Sequence, residues 1–313
     1  MEAMTENSLT GYKSGFVAVV GRPNVGKSTL INALLGQKIA AVSPKPQTTR
    51  RIQMGILTLE NAQLVFMDTP GIHKPVHKLG EYMNEAAEQT LEDADIILWL
   101  VDAALAPTDE DRIVAERLGK IKNKAPILLA LNKVDLISGP ALESNQSAYQ
   151  ALRPNARPRR VSAVNGYQMD LLVQEMVDLA PEGEPFYSED QVTDLYERDI
   201  AAELIREAAL LHLRDEVPHA LAVRIDDYTE RGDSGAHIGA TLLVERDSQK
   251  GIVIGRGGEM LKTIGTTARH EIETMSGRKV FLELRVKVNK NWRDDPFVLK
   301  LLGYISEKKK KRN

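Results

Sequence analysis

An eight-residue motif near the N-terminus constrains the fold more than any other feature of the sequence. Gly21-Arg-Pro-Asn-Val-Gly26-Lys27-Ser28 directly follows the apolar run 16–20 and precedes a helix-like stretch. In this context GxxxxGKS is typical of a phosphate-binding loop, because its glycines let backbone N–H groups turn inward around phosphate oxygens. We expect Lys27 to reach the β and γ oxygens and the Ser28 hydroxyl to bind Mg²⁺. The loop alone does not distinguish ATP from GTP.

Short apolar runs recur through the first half of the chain, with helix-like stretches between them. Such alternation predicts an α/β fold: an open, mostly parallel sheet wound on both faces by helices. The pattern stops near Ala180. The apolar runs are 16–20, 64–67, 96–101, 127–131 and, more weakly, 159–161, and two helix-like stretches are 110–120 and 166–179.

A different rhythm follows a segment rich in Pro, Gly and acidic residues. Helix and strand patterns alternate there in the order helix, strand, strand, short helix, helix, strand, which predicts a smaller α+β domain beside one antiparallel sheet. The expected boundaries are 10–180 for the first domain, 181–195 for a linker, 196–305 for the second domain and 306–313 for a basic tail.

The charge of the chain is unevenly distributed. Residues 246–313 hold 17 Lys and Arg against 8 Asp and Glu, a net +9, whereas the other residues carry a net −12. A basic end on an acidic body favours a polyanion partner. The absence of cysteine excludes a disulfide scaffold, a Cys-ligated zinc site and thiol catalysis. No apolar run approaches 18 residues and the N-terminus lacks a signal-peptide core, so we expect the chain in the cytoplasm.

Asn132-Lys133-Val134-Asp135 ends the fourth apolar run and fits a guanine reader. The Asp135 carboxylate can accept hydrogen bonds from guanine N1–H and the 2-amino group. Adenine lacks both donors and would leave the carboxylate unpaired, and such a site can favour guanine over adenine by about 10⁴. Lys133 can lie over the base plane. Ser162 and Ala163 follow the next strand, where a backbone N–H can serve guanine O6. This order excludes an ATP-dependent kinase or helicase.

Asp68-Thr69-Pro70-Gly71 ends the third apolar run, where Asp68 can hold Mg²⁺ through water and Gly71 can offer its N–H to the γ-phosphate. Upstream, 47–50 (QTTR) lies in a Pro-rich stretch. Thr49 can close over Mg²⁺, with Thr48 as the alternative. Loss of the γ-phosphate would release segments 37–53 and 69–85, an order–disorder switch.

The residue after Gly71 is Ile72, which cannot orient the attacking water as a Gln at this position does in many GTPases. Another group must position the water, and the Asn24 amide is a candidate ligand of a K⁺ ion beside the phosphates, or else a simple turn residue. The catalytic candidates are Lys27, Thr49, Gly71 and Asn24. His73 and His77 have metal-like spacing, but Pro75 between them argues against zinc.

Gly255-Arg256-Gly257-Gly258 forms a GxxG sequence between an apolar segment and a helix. Such a loop lets a nucleic-acid backbone approach closely and clamps about four nucleotides in KH modules. Residues 252–254 would supply an apolar groove floor, and base stacking should be minor because aromatic residues are few. The RNA-binding candidates are Ile254, Gly255, Arg256, Gly257, Gly258, Lys262, Arg285, Lys287 and Lys290.

Taken in order, GRPNVGKS, QTTR, DTPG, NKVD and SA resemble the Era-like branch of Ras-like GTPases, and VIGRGGEMLKTIG with VKVNKNWRDDP resembles the C-terminal KH domain of that branch. The resemblance covers about residues 10–305. It implies a Ras-like P-loop GTPase domain with a type II KH domain, GTP or GDP with Mg²⁺, and control of RNA binding by GTP. The implied GTP-binding residues are Gly21, Arg22, Pro23, Asn24, Val25, Gly26, Lys27, Ser28, Thr29, Asp68, Thr69, Pro70, Gly71, Asn132, Lys133, Asp135, Ser162 and Ala163.

The resemblance also implies partners. These are the 3′ region of 16S ribosomal RNA and the small ribosomal subunit, whose assembly such proteins serve, and peripheral contact with the inner membrane; no DNA is expected. One alternative stays open: an RNA-binding protein or RNA chaperone that binds GTP with negligible hydrolysis. Hydrolysis of GTP and ATP, measured with and without RNA, would distinguish the two hypotheses.

Overall fold

The computed structural model describes residues 11–43, 45, 48–72, 75–230 and 235–305. These residues fall into two compact units, and two short segments from the first half of the chain belong to the second unit. The expectations for Gln47, His73 and the basic tail lie outside the described residues. The first unit is Met1–Ala40, Ile52–His73 and Asn84–Asp194; the second is Ala41–Arg51, Lys74–Met83 and Leu195–Asn313.

The first unit contains a six-stranded sheet in the order β2-β3-β1-β4-β5-β6. All neighbouring strands are parallel except β2 and β3, which pair antiparallel at one edge, so the predicted mostly parallel sheet is confirmed. β2 was not expected, because its six residues carry no continuous apolar run. The strands are β1 (Lys13–Val20), β2 (Gln53–Thr58), β3 (Ala62–Asp68), β4 (Ile96–Asp102), β5 (Ile127–Asn132) and β6 (Arg157–Arg160).

Helices cover both faces of this sheet, as predicted. Val17 and Val19 of β1 point into a core with residues of α1 and α5, whereas the alternate residues Ala18 and Val20 point into a second core with residues of α2, α3 and α4. A strand buried on both faces is therefore apolar at successive positions. The helices are α1 (Lys27–Leu35), α2 (Lys78–Asp93), α3 (Asp109–Lys120), α4 (Gly139–Leu152) and α5 (Met169–Leu179).

The segment expected to be a linker packs closely on the first unit as far as residue 194. Its Pro181 carbonyl accepts a hydrogen bond from the Ser14 N–H at 3.0 Å. The Gln63 side chain accepts from the Phe186 N–H at 2.8 Å, and the Phe186 ring lies 4.6 Å from that of Phe16. These contacts fix a segment whose composition alone indicated an irregular connection.

The second unit follows the predicted order of helices and strands. One correction concerns its three-stranded sheet, which is mixed: β7 and β8 are antiparallel, but β8 and β9 are parallel. The parallel pair is possible because two helices connect β8 to β9, long enough for a crossover. The elements are α6 (Glu197–His212), β7 (Ala222–Glu230), β8 (Ala236–Val244), α7 (Asp247–Ile254), α8 (Glu259–Ser276), β9 (Val280–Val288) and α9 (Pro296–Leu301).

One core of the second unit lies between its sheet and helices α6 and α8. Leu204 and Ile205 of α6 and Ile264 of α8 are buried against Ile238 and Leu242 of β8. In β9, the side chains alternate between half-buried apolar residues and exposed residues, many of them charged, the pattern of a strand with one packed face. Across the described ranges, no helix has the length and apolarity needed to cross a membrane.

Candidate nucleotide site and RNA-binding loop

The phosphate-binding loop adopts a backbone that its glycines permit. Gly26 has φ of 102°, and a Cβ there would lie 2.5 Å from the Asn132 side-chain nitrogen. A Cβ at Gly21 would collide with the Leu100 carbonyl oxygen. Asn24 is exposed and has φ of 64°, a conformation that Asn tolerates better than most residues. The loop therefore runs between the ends of β1 and α1 in the position that the motif predicts.

Lys27 lies buried at the start of α1, inside this loop. Its ammonium group donates to the carbonyl oxygens of Gly21 and Arg22, each at 3.1 Å. Burial lowers the Lys27 pKa to about 8, although the nearby Asp68 carboxylate opposes the shift. An ammonium held inside the loop and partly desolvated attracts phosphate strongly, because little water screens its charge.

Ser28, in the first turn of α1, contacts Asp68 at the carboxyl end of β3. The Ser28 hydroxyl donates to Asp68 Oδ2 at 2.7 Å, and both residues are buried. A hydroxyl and a carboxylate are hard oxygen ligands of the kind that Mg²⁺ prefers. The pair fits a magnesium site beside the phosphate loop.

The segment after β3 is anchored beneath the loop. The Thr69 hydroxyl donates to the Val19 carbonyl at 2.8 Å, and Thr69 is fully buried. A Cβ on Gly71 would lie 3.0 Å from the Pro23 ring, so a small residue is needed where the two loops meet. Ile72 is fully buried within the second core of the sheet. Its side chain therefore faces the protein interior.

The base-reading residues also converge. The Ser162 hydroxyl donates to Asp135 Oδ1 at 2.6 Å. The Asn132 amide donates to the Val25 carbonyl at 2.9 Å and accepts from the Ala163 N–H at 3.0 Å, so it ties the phosphate loop to the segment after β6. A cavity of about 250 Å³ lies beside Asp135. The Ser162 N–H donates to the Tyr167 carbonyl at 3.2 Å, so both predicted backbone donors have partners within the chain.

A buried ionic network, which the sequence argument missed, positions two of the predicted residues. Lys133 Nζ lies 2.7 Å from Asp102 Oδ2 and donates to the Asn24 carbonyl at 2.9 Å. Arg22 donates through Nε to Asp111 at 3.1 Å, and Asp111 is fully buried. Asp102 ends β4 and Asp111 lies in the first turn of α3. A carboxylate at the end of an apolar strand is the only signal that could have indicated Asp102.

Thr48 and Thr49 belong to the second unit, whereas Ser28 and Asp68 belong to the first. The Thr48 hydroxyl donates to the Lys45 carbonyl at 2.7 Å. Arg50 is buried and donates to the Leu221 carbonyl at 2.7 Å. Its guanidinium carbon lies over the Trp292 ring, 5.8 Å from the ring centroid. The choice between Thr48 and Thr49 stays a prediction.

The start of α2 is likewise anchored in the second unit. The Lys78 N–H donates to Asp294 Oδ1 at 2.9 Å, and His77 Nδ1 lies 3.0 Å from Asp294 Oδ2. The Lys78 N–H and then His77 hold the Asp294 pKa below its usual range. Leu79 and Met83 are buried in a cluster with Trp292. Part of the segment expected to be a switch is thus helical, and the described part of each switch segment has fixed partners.

The GxxG loop lies between α7 and α8 in the second unit. Gly255, Gly257 and Gly258 all have positive φ, and a Cβ on Gly255 would lie 2.6 Å from the Met260 Cβ. Gly257 and Gly258 face open space: among the described atoms, none lies within 4 Å of a Cβ placed there. Arg256, which directly precedes them, is exposed. This is the open backbone surface that close approach of a nucleic-acid strand requires.

The residues flanking this loop divide into surface and core. Val253 is fully buried, so it belongs to the core of the unit; the expected apolar floor reduces to Ile254, which is half-buried, and Ile252, which is 50% exposed. The predicted basic contacts are all exposed. They are Lys262 in the first turns of α8, Arg285 and Lys287 on one face of β9, and Lys290 after it.

Two family models match the two halves of the chain. A "50S ribosome-binding GTPase" model matches residues 16–133, and a "KH domain" model matches residues 216–293. The first match includes the phosphate loop, the magnesium pair and Asn132; the second includes the GxxG loop and β9.

Relatives and solved structures match nearly the whole chain. GTPase Era of Ruminiclostridium cellulolyticum is 49% identical over 297 residues, which are 95% of this chain and 99% of the relative. GTPase Era of Caldicellulosiruptor saccharolyticus is 47% identical, over 94% and 98%. A crystal structure of Era with MgGDPNP and nucleotides 1506–1542 of 16S ribosomal RNA has a TM-score of 0.89 at 40% identity, covering 94% of this chain and all of that one. A substituted Era of Aquifex aeolicus bound to GDP·AlF4⁻ has the same TM-score at 39% identity, with the same coverage. The chain belongs to the Era family of GTPases.

Proposed function

We propose that this chain is a Mg²⁺-dependent GTPase that binds the 3′ region of 16S ribosomal RNA through its second unit and acts in assembly of the small ribosomal subunit. The observation that carries the proposal is the pairing, in one chain, of a phosphate loop joined to a guanine reader with an open GxxG loop. The solved Era structure with a GTP analogue and a 16S fragment, at 40% identity, supports the same ligands here.

The phosphates of GTP bind along the backbone of residues 21–26, with Lys27 at the β and γ oxygens. Ser28 and Asp68 hold Mg²⁺, which supplies positive charge against the charge on the β and γ oxygens. Gly71 would offer its N–H to the γ-phosphate, and Thr49, with Thr48 as the alternative, would bind the metal when GTP is bound. The 3.0 Å approach of Pro23 to the Cβ position of Gly71 supports this assignment, because it joins the γ-phosphate segment to the phosphate loop.

Guanine binds beside Asp135, whose carboxylate Ser162 holds by a 2.6 Å hydrogen bond. Lys133 lies over the base and is fixed by Asp102. The Ala163 N–H donates to the Asn132 side-chain oxygen in this structure. When guanine binds, its O6 must share this N–H with Asn132. Adenine offers neither an N1–H nor a 2-amino group, so ATP leaves the Asp135 carboxylate without these two bonds.

Hydrolysis needs a group that orients water, and Ile72 is turned into the core and carries no polar atom. We assign that assistance to a K⁺ ion beside the phosphates, bound in part by the Asn24 amide. The positive φ of Asn24 and its exposure agree with this role but equally with a turn residue. A comparison of turnover in K⁺ and Na⁺ separates the two.

RNA binds at the GxxG loop, where the backbone of Gly257 and Gly258 is open, and Arg256 and Lys262 meet phosphates. Arg285, Lys287 and Lys290 extend this basic surface. The domain limits of 10–180 and 196–305 are also proposals, which rest on the change of helix and strand pattern along the sequence. The cytoplasm is the proposed place of action, and peripheral contact with the inner membrane remains a prediction from family resemblance alone.

The alternative, an RNA-binding protein that holds GTP without hydrolysing it, differs in one observable. Steady-state release of phosphate from GTP and from ATP, each with and without the 16S 3′ fragment, tests the proposal. Phosphate released from GTP only supports it, and RNA binding without any release would support the alternative.

A further inference from the structure

A cavity lined by basic side chains lies in the second unit, on the β7 edge of its sheet. Its volume is about 350 Å³. Four cationic side chains, Arg51, Arg198, Arg224 and Lys300, line it together with a single carboxylate, that of Asp199. We call it the Arg51 cavity. None of the RNA-binding candidates taken from the sequence lies in it.

Two of these cations have donors that the protein does not use fully. The Arg198 side chain is exposed and makes no ion pair or hydrogen bond with any residue in the described ranges. The carboxylate oxygens nearest to Arg51 are those of Asp199 at 3.9 Å and Glu203 at 4.0 Å, both beyond hydrogen-bond distance. Arg51 is instead placed by the Tyr304 ring, whose centroid lies 5.6 Å from the guanidinium carbon.

The chemistry of this lining fits phosphate. Guanidinium groups present parallel N–H donors that match two phosphate oxygens, and an ammonium adds a point charge. Four positive charges around one cavity repel each other, and the neighbouring carboxylates of Asp199, Glu203 and Asp226 compensate only part of that repulsion. An anion with several oxygens in the cavity would relieve the remainder.

We propose that the Arg51 cavity binds backbone phosphates of the RNA, as a second anchor beside the GxxG loop. The proposal rests on the proposed function, in which this unit binds RNA. β7 and β9 are the two edges of one three-stranded sheet, about 10 Å apart, so a strand bound along β9 can reach both edges by a few nucleotides. A free polyphosphate offers the same oxygens and is the other source to be tested.

The cavity also includes Arg51, which belongs to segment 37–53, the first of the two segments that we expect to respond to the nucleotide. Arg51 directly follows Arg50 and comes two residues after Thr49. A phosphate bound in the cavity takes up the Arg51 donors that Asp199 and Glu203 leave unused, and so adds a contact to this segment. RNA bound here acts on residues 48–51 through Arg51.

The test is the salt dependence of RNA binding by the full chain loaded with Mg²⁺ and a non-hydrolysable GTP analogue. The probe is a labelled fragment of 16S ribosomal RNA, nucleotides 1506–1542, read by fluorescence anisotropy. In the Arg198→Gln/Lys300→Gln variant, the slope of log affinity against log salt should fall in magnitude by about 1.4, since each lost phosphate contact removes about 0.7. The charge-matched control is Lys122→Gln/Lys124→Gln, two exposed lysines of the first unit.

The outcomes separate this inference from the proposed function. An unchanged slope and affinity in the folded variant, or an equal change in the control, would overturn the cavity assignment. Gly257→Asp/Gly258→Asp serves as the reference: if that variant binds RNA like the parent, the KH assignment fails instead. In a second arm, inorganic tripolyphosphate is titrated into the GDP-loaded chain. If tripolyphosphate binding is lost in Arg198→Gln/Lys300→Gln while the salt slope of RNA binding in that variant equals the parent's, a free anion is the ligand and the RNA assignment is overturned.

Discussion

Replacing the carboxylate of Asp135 by an amide should convert the base site from guanine to xanthine. Ser162 donates to Asp135 Oδ1 at 2.6 Å, so in Asp135→Asn the amide oxygen should stay against Ser162 and the NH₂ group should take the place of Oδ2. The NH₂ then faces the 2-amino group of guanine, donor against donor. Xanthine carries a carbonyl at that position and would accept the bond.

The magnitude follows from the bonds that change. The carboxylate makes two charge-assisted hydrogen bonds to guanine, each worth about 1.5–3 kcal/mol. Loss of one bond and strain in the other should weaken GTP by about 3 kcal/mol, which is about 10²-fold in Kd. Ser162→Ala removes only the support of the carboxylate, so it should weaken GTP by about tenfold without a gain in xanthosine triphosphate affinity.

Isothermal titration of the parent, Asp135→Asn and Ser162→Ala with GTP and with xanthosine triphosphate gives the six dissociation constants needed. The expected pattern is a reversal of preference in Asp135→Asn alone. Equal GTP affinity in Asp135→Asn and the parent would refute the guanine assignment, and weaker binding of both nucleotides would show that the amide disrupts the loop instead.

Five further predictions concern other parts of the chain. Gly257→Asp/Gly258→Asp should abolish binding of the 16S fragment in anisotropy while GTP hydrolysis without RNA is kept, because the carboxylates repel phosphate and both positions have positive φ. GTP turnover should be faster in K⁺ than in equimolar Na⁺, and Asn24→Ala should remove the difference while GTP still binds; turnover indifferent to the cation in both proteins would assign the missing group to a partner. Burial lowers the Lys27 pKa to about 8 and bound phosphate favours the charged form, so calorimetry above pH 8 should show proton uptake on GTP binding. In the nucleotide-free chain the unfolded state keeps that proton up to about pH 10.5, so this residue makes the free energy of unfolding rise between pH 8 and 10.5, to be measured with urea. Gly21→Ala should lower the melting temperature by several degrees, because its Cβ would collide with the Leu100 carbonyl oxygen.

The sequence predicted those parts of the fold that depend on local pattern. Fully apolar strands such as β4 and the fixed spacing of the phosphate loop need no knowledge of the rest of the chain. β2 could not be predicted in this way, because Gln53 and Gly55 interrupt its pattern and it is held by pairing with β3. The parallel pairing of β8 with β9 depends on the path of the connecting helices, which periodicity does not reveal.

The candidate site divides in the same manner. Lys27, Ser28, Asp68 and Asp135 were predictable because motif and spacing together specify what each can bind. The partners that hold Arg22 and Lys133 were not, since Asp111 is distant in sequence and an acid at a helix start has many uses. The attachment of Arg50 to the Leu221 carbonyl could not be inferred either, because no pattern in a Pro-rich segment indicates which distant backbone it meets.

Control of RNA binding by GTP, which the family resemblance implies, is the part of the proposed function that joins the two units. Single-turnover hydrolysis of GTP, measured with Mg²⁺ in the presence and absence of the 16S 3′ fragment, tests it most directly. We expect hydrolysis of GTP and none of ATP, with a rate that changes when RNA is added to the parent and does not change when RNA is added to Gly257→Asp/Gly258→Asp. RNA that binds tightly while the rate of GTP hydrolysis stays at zero, or stays the same with and without RNA, would contradict it.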